Sequence, residues 1–339
     1  MPQHSITPQA VPLDAYRRAR EHAAAIDRSA RARLVASGAD RAVYLQGLLT
    51  NDVAALTAGR GCYAAYLTPQ GRMIADLHAY ELGDAMLLTM AAHVRQAVLA
   101  RFEQFVFSED VRFDDLTGTF AQVAVVGPAS AGIVSRVLAG AAGEALRALP
   151  EHGNLRAQLG AGAAIVARVT DTGEPGFEIF VDREALSALM AALGSAGALL
   201  LDPATADALR IEAGIPEFGR DMDEETIPLE AGIEERAISF TKGCYVGQEV
   251  IVRVLHRGHG RVARRLVGLL LDPGAAAAAG SAITLEGQAI GRLTSVTASP
   301  ALGRPIALGY VHRDRASPGT MVTVGDAPAS VAALPFVPR

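Results

Sequence analysis

Cysteine is scarce: the 339-residue chain has two, Cys62 and Cys244. Two thiols cannot frame a disulfide scaffold, and alone they cannot complete a zinc or iron–sulfur site that needs several cysteine ligands. Long hydrophobic runs are missing too. The longest, about Leu266 to Leu271, falls far short of the roughly 20 residues that span a bilayer, so a soluble, globular protein is expected. No charge of one sign dominates: 31 basic residues stand against 36 acidic ones, a net −5, which speaks against a generally nucleic-acid-binding surface. There is no apolar signal core, since Met1 to Asp14 is polar and proline-punctuated. The Arg- and Ala-rich stretch Tyr16 to Leu34 carries the acids Glu21 and Asp27, which transit peptides avoid. A solvated N-terminal helix is therefore expected, with a cytoplasmic location (the mitochondrial matrix in a eukaryote). Gly160 to Ile165 lacks the third glycine and strand-to-helix setting of a dinucleotide site. The histidines show no metal-ligand spacing beyond His256 and His259, so no tightly held metal is expected.

What is present reads as two or three domains, at roughly 100–200 residues each. Tyr63 to Leu67, Met73 to Tyr80 and Ala85 to Thr89 are short strands cut by the turns Thr68 to Gly71 and Gly83-Asp84, an antiparallel meander. Val94, Val98, Phe102 and Phe105 recur at helical spacing across Ala91 to Phe107. Ala121 to Val126 predicts a buried strand and Ala129 to about Leu149 a helix. Ile165 to Val169 and Phe177 to Val181 flank a turn-forming cluster, Asp171 to Gly176, which predicts a hairpin. Asp182 is a candidate cap for a helix over Arg183 to Leu193, and Asp202-Pro203 is an N-cap with proline at the first helical position. Strands that come partly as hairpins favour an α+β arrangement over a doubly wound parallel sheet. Beyond Leu266 the pattern is all β, with Gly and Pro turns, and predicts a small barrel.

The densest chemistry lies in Lys242-Gly243-Cys244-Tyr245-Val246-Gly247-Gln248-Glu249. A nearby ammonium lowers a thiol pKa and glycine backbone can expose it, which reads as a functional cysteine. A buried structural thiol at the start of a strand is the plainer alternative. Cys62 has no charged neighbours in sequence and is assigned to the core.

This segment resembles the signature of the YgfZ-type folate-binding proteins, a branch of the fold shared with the T-protein (aminomethyltransferase) of the glycine cleavage system. The wider T-protein-like pattern recurs in Thr172 to Ile179, Leu209 to Gly214, Ile227 to Gly232 and Ile290 to Ser295, and the resemblance runs from about Val43 to Phe336. It implies a cloverleaf of two ferredoxin-like α+β units, the first partly split in sequence, and a C-terminal antiparallel β-barrel around a central folate channel. The expected divisions are 1–150, 151–262 and 263–339, with the cysteine motif near the end of the second.

The resemblance also assigns residues. Glu178 would bind the pterin, since a carboxylate accepts two parallel N–H donors; without the motif it would be a solvent-facing position of an alternating strand. Arg210 would lie against the folate, where a surface ion pair with Asp207 is the plain alternative. Asp76 matches the second of a pair of aspartates near the folate nitrogen that carries the one-carbon unit, and Tyr63 a tyrosine of the same pocket. Ala75 and Ala206 depart from the T-protein pattern. Cys244, with Lys242 tuning it, would be the reactive group, and Gln248 is taken as cofactor-binding. The basic stretch Arg253 to Arg265 blocks aggregation at a strand edge on the plain reading. Alternatively, Arg257 and Arg261 attract the tail of polyglutamylated tetrahydrofolate. The stretch has no interleaved aromatics to stack bases, which argues against RNA. The implied function is a tetrahydrofolate-binding accessory protein for assembly or repair of iron–sulfur enzymes. The alternative is tetrahydrofolate-dependent aminomethyl transfer.

Overall fold

The computed structural model describes residues 11–256, 261–275 and 277–338. Helix α1 (Leu13–Glu21) leads into strands β1 (Ala24–Asp27) and β2 (Ala32–Ser37), then helix α2 (Arg41–Leu48). A meander follows, β3 (Arg60–Leu67), β4 (Met73–Glu81) and β5 (Ala85–Met90), and then α3 (Arg95–Gln104). Next come β6 (Arg112–Asp115), β7 (Phe120–Val126), α4 (Ser130–Val137) and α5 (Gly143–Ala148). Strands β8 (Asn154–Leu159), β9 (Gly162–Val169) and β10 (Gly176–Asp182) precede α6 (Leu186–Ser195), β11 (Leu199–Leu200) and α7 (Pro203–Glu212). Helices α8 (Pro228–Ala231), α9 (Glu234–Ala237) and α10 (Gln248–His256) lead to the last unit. That unit contains β12 (Arg264–Leu271), β13 (Ala282–Leu285), β14 (Gln288–Ser299), β15 (Arg304–His312), β16 (Met321–Val324) and β17 (Ala327–Ala332).

These strands form two open sheets and a barrel. The first sheet has the order β3-β4-β5-β2-β6, the second β11-β1-β7-β10-β9-β8, and the third closes as β12-β15-β14-β13-β16-β17. The meander, the β9–β10 hairpin and the barrel match what turns and periodicity predict. The helix expected over Tyr16 to Leu34 does not: it stops at Glu21, and Ala24–Asp27 is a strand. Alanine favours helix, but β1 is hydrogen-bonded to β11 on one side and β7 on the other, with Ala24 fully buried. Tertiary pairing overrides propensity there. The expected helix over Ala129 to Leu149 is two helices, and Asp182 makes no side-chain cap bond. Asp202 does cap, accepting from the Thr205 N–H at 2.9 Å.

Strand pairing also cuts across the expected division at residue 150. β1 and β7 both belong to the second sheet, where β1 pairs with β11 and β7, and β7 with β10. The segment from Phe218 onward returns to the first unit: Phe218, Leu229, Ile233, Ile238, Tyr245, Ile251 and Val262 pack with Leu34, Leu77 and Phe102. The first unit is thus split in sequence, and the cysteine motif belongs to it rather than to the second.

Alternation along two strands then builds the region between the sheets. On β4, Ala75, Leu77 and Ala79 face the first core, so Asp76, His78 and Tyr80 point the other way. On β10, Phe177, Ile179 and Val181 face the second core, leaving Glu178 and Phe180 toward the first sheet. The two faces meet where Tyr80 and Leu87 pack on Ala167 and Phe180. The Tyr80 and Phe180 rings stand 6.0 Å apart, a contact of about 0.5–1.5 kcal/mol beyond area burial. The barrel docks on α7, whose Glu212 accepts from Ser299 Oγ and Tyr16 Oη and pairs with Arg20, itself bound to Glu174.

Candidate functional site

A cavity of about 530 Å³ opens where the sheets meet α7, within the size range of small-molecule sites. The end of β1 supplies Asp27, Arg28 and Arg31, the meander Tyr63, Asp76 and His78, and the β9–β10 loop Asp171 and Thr172. Helix α7 adds Pro203, Ala206, Asp207 and Arg210, one face at helical spacing.

One group in the wall and one that reaches behind it through Arg28 carry distinct chemistry. At one, Tyr63 Oη donates to Asp76 Oδ2 over 2.7 Å. Burial pushes the Asp76 carboxyl above its ordinary range, against the pull of Arg31 and of the Tyr63 hydroxyl. Burial likewise raises the Tyr63 phenol, with Asp76 adding to it. The Arg236 guanidinium lies over the Tyr63 ring, 5.2 Å from its centroid. At the other, Arg28 Nη1 donates to Asp171 Oδ2 at 2.9 Å and to Glu178 Oε1 at 2.8 Å. Glu178 is 1% exposed, and its second oxygen, Oε2, has no partner among the described residues. A buried carboxylate oxygen without a donor costs free energy unless something fills the role.

His78 joins the two groups. Its ring packs on Tyr63 (centroids 5.2 Å) and His152 (5.0 Å), and its Nε2 lies 3.8 Å from Asp171 Oδ1. Burial lowers the His78 pKa to about 4, and it lowers His152 to about 3, with His78 adding to the effect. Both rings are therefore neutral at pH 7. Burial opposes ionisation of Asp171, but His78 in its protonated form, Arg28, Arg236 and Arg31 outweigh it and hold that carboxyl below its usual range.

Tyr63 and Asp76 line the cavity, Glu178 lies behind its wall on Arg28, and the other expected residues have different surroundings. Arg210 lines the cavity, but all its N–H groups are taken. Nε and Nη2 donate to Asp207 Oδ1 at 3.0 and 2.8 Å, Nη1 to Ile215 O at 2.7 Å and Asp221 Oδ2 at 2.6 Å, and Nη2 also to Ser295 Oγ at 3.0 Å. It ties α7 to the barrel and has no donor left for a ligand.

Lys242 is likewise occupied. Its Nζ donates to the carbonyls of Gln46, Leu49 and Asn51 at 2.7, 2.7 and 2.9 Å, at the C-terminal end of α2, where a cation is favoured. The expected tuning of Cys244 gives way to this clamp, and the ammonium instead acts on Cys62. That buried thiol is pushed up to about 12 by burial, with Lys242 pulling the other way. Cys244 is exposed, on a loop outside the cavity wall, and does not begin a strand. Gly247, at φ +85°, lets that loop cross the β3–β4 turn: a Cβ there would lie 2.5 Å from Thr68 O. Gln248 opens α10 and is not part of the cavity wall. Arg253 is on α10 rather than a strand edge, and Arg257 and His259 lie outside the described residues. Among the described residues no group of three or more His, Cys, Asp or Glu is placed to hold a metal, and no helix is long and apolar enough to cross a membrane.

Sequence reasoning missed Arg28, Arg31, His78, Asp171 and Arg236. His78 was accessible through the alternation that starts at Asp76. Arg28 was hidden inside the misread helix.

Two α+β sheets and a closed six-stranded barrel define a T-protein-like fold. The sequence matches the GCVT N-terminal domain over residues 9–242 and the glycine cleavage T-protein C-terminal barrel domain over 264–338. This chain belongs to the glycine cleavage T-protein family. It is 36% identical over 304 residues to an aminomethyltransferase of Rubrobacter xylanophilus (89% of this chain, 80% of that one). It is 31% identical over 319 residues to a putative chloroplastic transferase of Arabidopsis thaliana (93% and 71%). The solved aminomethyltransferase T of the Bartonella henselae glycine cleavage system superimposes with a TM-score of 0.84 at 26% identity, covering 96% of this chain and 89% of that one.

Proposed function

We propose that the chain binds a reduced folate, polyglutamylated in the cell, in the central cavity and carries out aminomethyl-type one-carbon transfer there. The observation that carries the reading is the unmet Oε2 of Glu178. A pterin edge offers two adjacent N–H donors, which a carboxylate accepts in parallel, and Arg28 holds that carboxylate in place through Oε1. Thr172 Oγ1 is a second buried polar atom without a partner in the wall. When bound, tetrahydrofolate supplies the nitrogen nucleophiles that accept a one-carbon unit. Asp76 positions and polarises such a nitrogen or takes its proton, and Tyr63 fixes the carboxylate's orientation. Arg31 and Arg236 supply positive charge in the wall where Ala206 stands in place of the family's arginine.

Exposure of Cys244 outside the cavity favours a second reading, a folate-binding accessory role for iron–sulfur enzymes in which the thiol meets a client protein. Cys244→Ala separates the two. Release of ammonia and methylene-tetrahydrofolate from an aminomethylated lipoyl carrier, equal in wild type and variant, supports the transferase. No release, together with loss of iron–sulfur enzyme activity in cells carrying the variant, supports the accessory role.

A further inference from the structure

Between β1 and β2 the chain crosses from the second sheet to the first, turning through Arg28 and Arg31. The Arg31 N–H donates to Arg28 O and the Arg28 N–H to Gln122 O, both at 2.9 Å. The two side chains then differ. Arg28 meets Asp171 and Glu178, whereas Arg31 lines the central cavity without an ion pair among the described residues.

What holds Arg31 is neutral. Its Nε donates to Thr89 Oγ1 at 3.4 Å, and that hydroxyl donates in turn to Gln122 Oε1 at 3.1 Å. Thr89 lies on β5 opposite His78 of β4. Paired residues share a face of the sheet, so the hydroxyl looks into the space that Asp76 and His78 face. Gln122 belongs to the second sheet, and both it and Thr89 are fully buried. Neutral partners fix a guanidinium without cancelling its field, and that field is screened less in a partly dry wall than in water.

The field falls on Asp76. Burial opposes ionisation of that carboxyl and Asp171 adds to the opposition, while Arg31 is the strongest influence the other way, ahead of the Tyr63 hydroxyl. Of the other groups in the wall, His78 is neutral at pH 7, Arg236 of α9 lies over the Tyr63 ring, Arg28 is taken up by Asp171 and Glu178, and Asp27 accepts from the Ser29 N–H.

We propose that Arg31 is a positioning residue of the one-carbon site, tethered by Thr89 and Gln122 so that its charge keeps Asp76 a carboxylate; the proposal rests on the folate reading above. Only as a carboxylate can Asp76 take a proton from a folate nitrogen. A charge held nearby secures that state without a guanidinium seated on the carboxylate itself.

The test follows transfer from an aminomethylated lipoyl carrier to tetrahydrofolate against pH in wild type, Arg31→Met and Arg31→Lys. On the same proteins without ligand, carbon-detected NMR of labelled aspartate follows the Asp76 titration. Methionine removes the charge, and lysine keeps the charge but not the fork. In Arg31→Met the Asp76 carboxyl should titrate at higher pH than in the wild type. Its kcat should fall about tenfold or more at pH 6 and by less at pH 8, with KM for tetrahydrofolate within about twofold of wild type. Arg31→Lys should restore most of the titration and of the rate at pH 6. A titration that does not move in Arg31→Met, a rate that falls equally at both pH values, or no recovery with lysine would overturn the proposal. Because the titration is read without folate, it decides the role of Arg31 even where the wild type transfers nothing, a result that would count against the folate reading alone.

Discussion

Tyr63 and Asp76 face the cavity as a diagonal cross-strand pair. Tyr63 sits opposite His78 in the β3–β4 register, Asp76 lies two residues earlier on β4, and the phenol reaches the carboxylate at 2.7 Å. Such neighbours are within reach of long aromatic side chains. The carboxylate is thereby held in one orientation inside a wall that otherwise raises its pKa.

Removing the phenol should expose that balance. In Tyr63→Phe the ring still packs on His78, but a donor that favours ionised Asp76 is gone. The Asp76 carboxyl should titrate at higher pH than in the wild type, read by carbon-detected NMR of labelled aspartate. An unchanged titration would show that the bond contributes nothing to ionisation.

The buried imidazoles should make the protein sensitive to acid. His78 and His152 titrate in the folded state at about 4 and about 3, against 6.5 for the free side chain. Below 6.5 the unfolded chain binds protons that the folded one refuses, so stability is complete above that value and declines as pH falls toward 4. Each imidazole withdraws about 1.4 kcal/mol per pH unit well inside the window. His152→Asn retains a residue that tolerates the left-handed backbone found there, φ +60°, and removes one of the two. Its melting temperature should fall less than that of wild type between pH 7 and 5; an identical fall would contradict the account.

Lys242 should matter for stability rather than for thiol chemistry. Lys242→Met leaves the carbonyls of Gln46, Leu49 and Asn51 without their donor, and a loss of about 2–4 kcal/mol is expected in urea unfolding. The pH dependence of Cys244 alkylation should not move. Cys62 is buried and will not contribute to the signal. A marked shift in the alkylation profile would return Lys242 to the role the sequence suggested.

Local pattern made much of this fold legible. Turn residues and period-two alternation marked the meander, the β9–β10 hairpin and the barrel, and Asp202-Pro203 marked the start of α7. Sheet membership was not legible. Ala24–Asp27 is four residues of a helix-favouring composition whose strand conformation comes from partners about 100 and 175 residues away, near Val126 and Leu199. The same limit applies to the site. Asp76, Tyr63 and Glu178 were found through the motifs that contain them, whereas the saturation of Arg210 depends on Asp221 and Ser295, and the clamp on Lys242 depends on α2. Charge complementarity between distant segments leaves no periodic trace in a sequence.

The central claim is that Glu178 receives the pterin of a reduced folate in the cavity between the sheets, and titration of wild type and Glu178→Gln with 5-formyltetrahydrofolate tests it most directly. The amide keeps the shape but replaces one acceptor with a donor and removes the charge that Arg28 meets. Saturable binding by the wild type that weakens by about 30-fold or more in Glu178→Gln, roughly 2 kcal/mol or more, is the predicted result. Wild-type protein that fails to bind, or a variant that binds equally well, would contradict it.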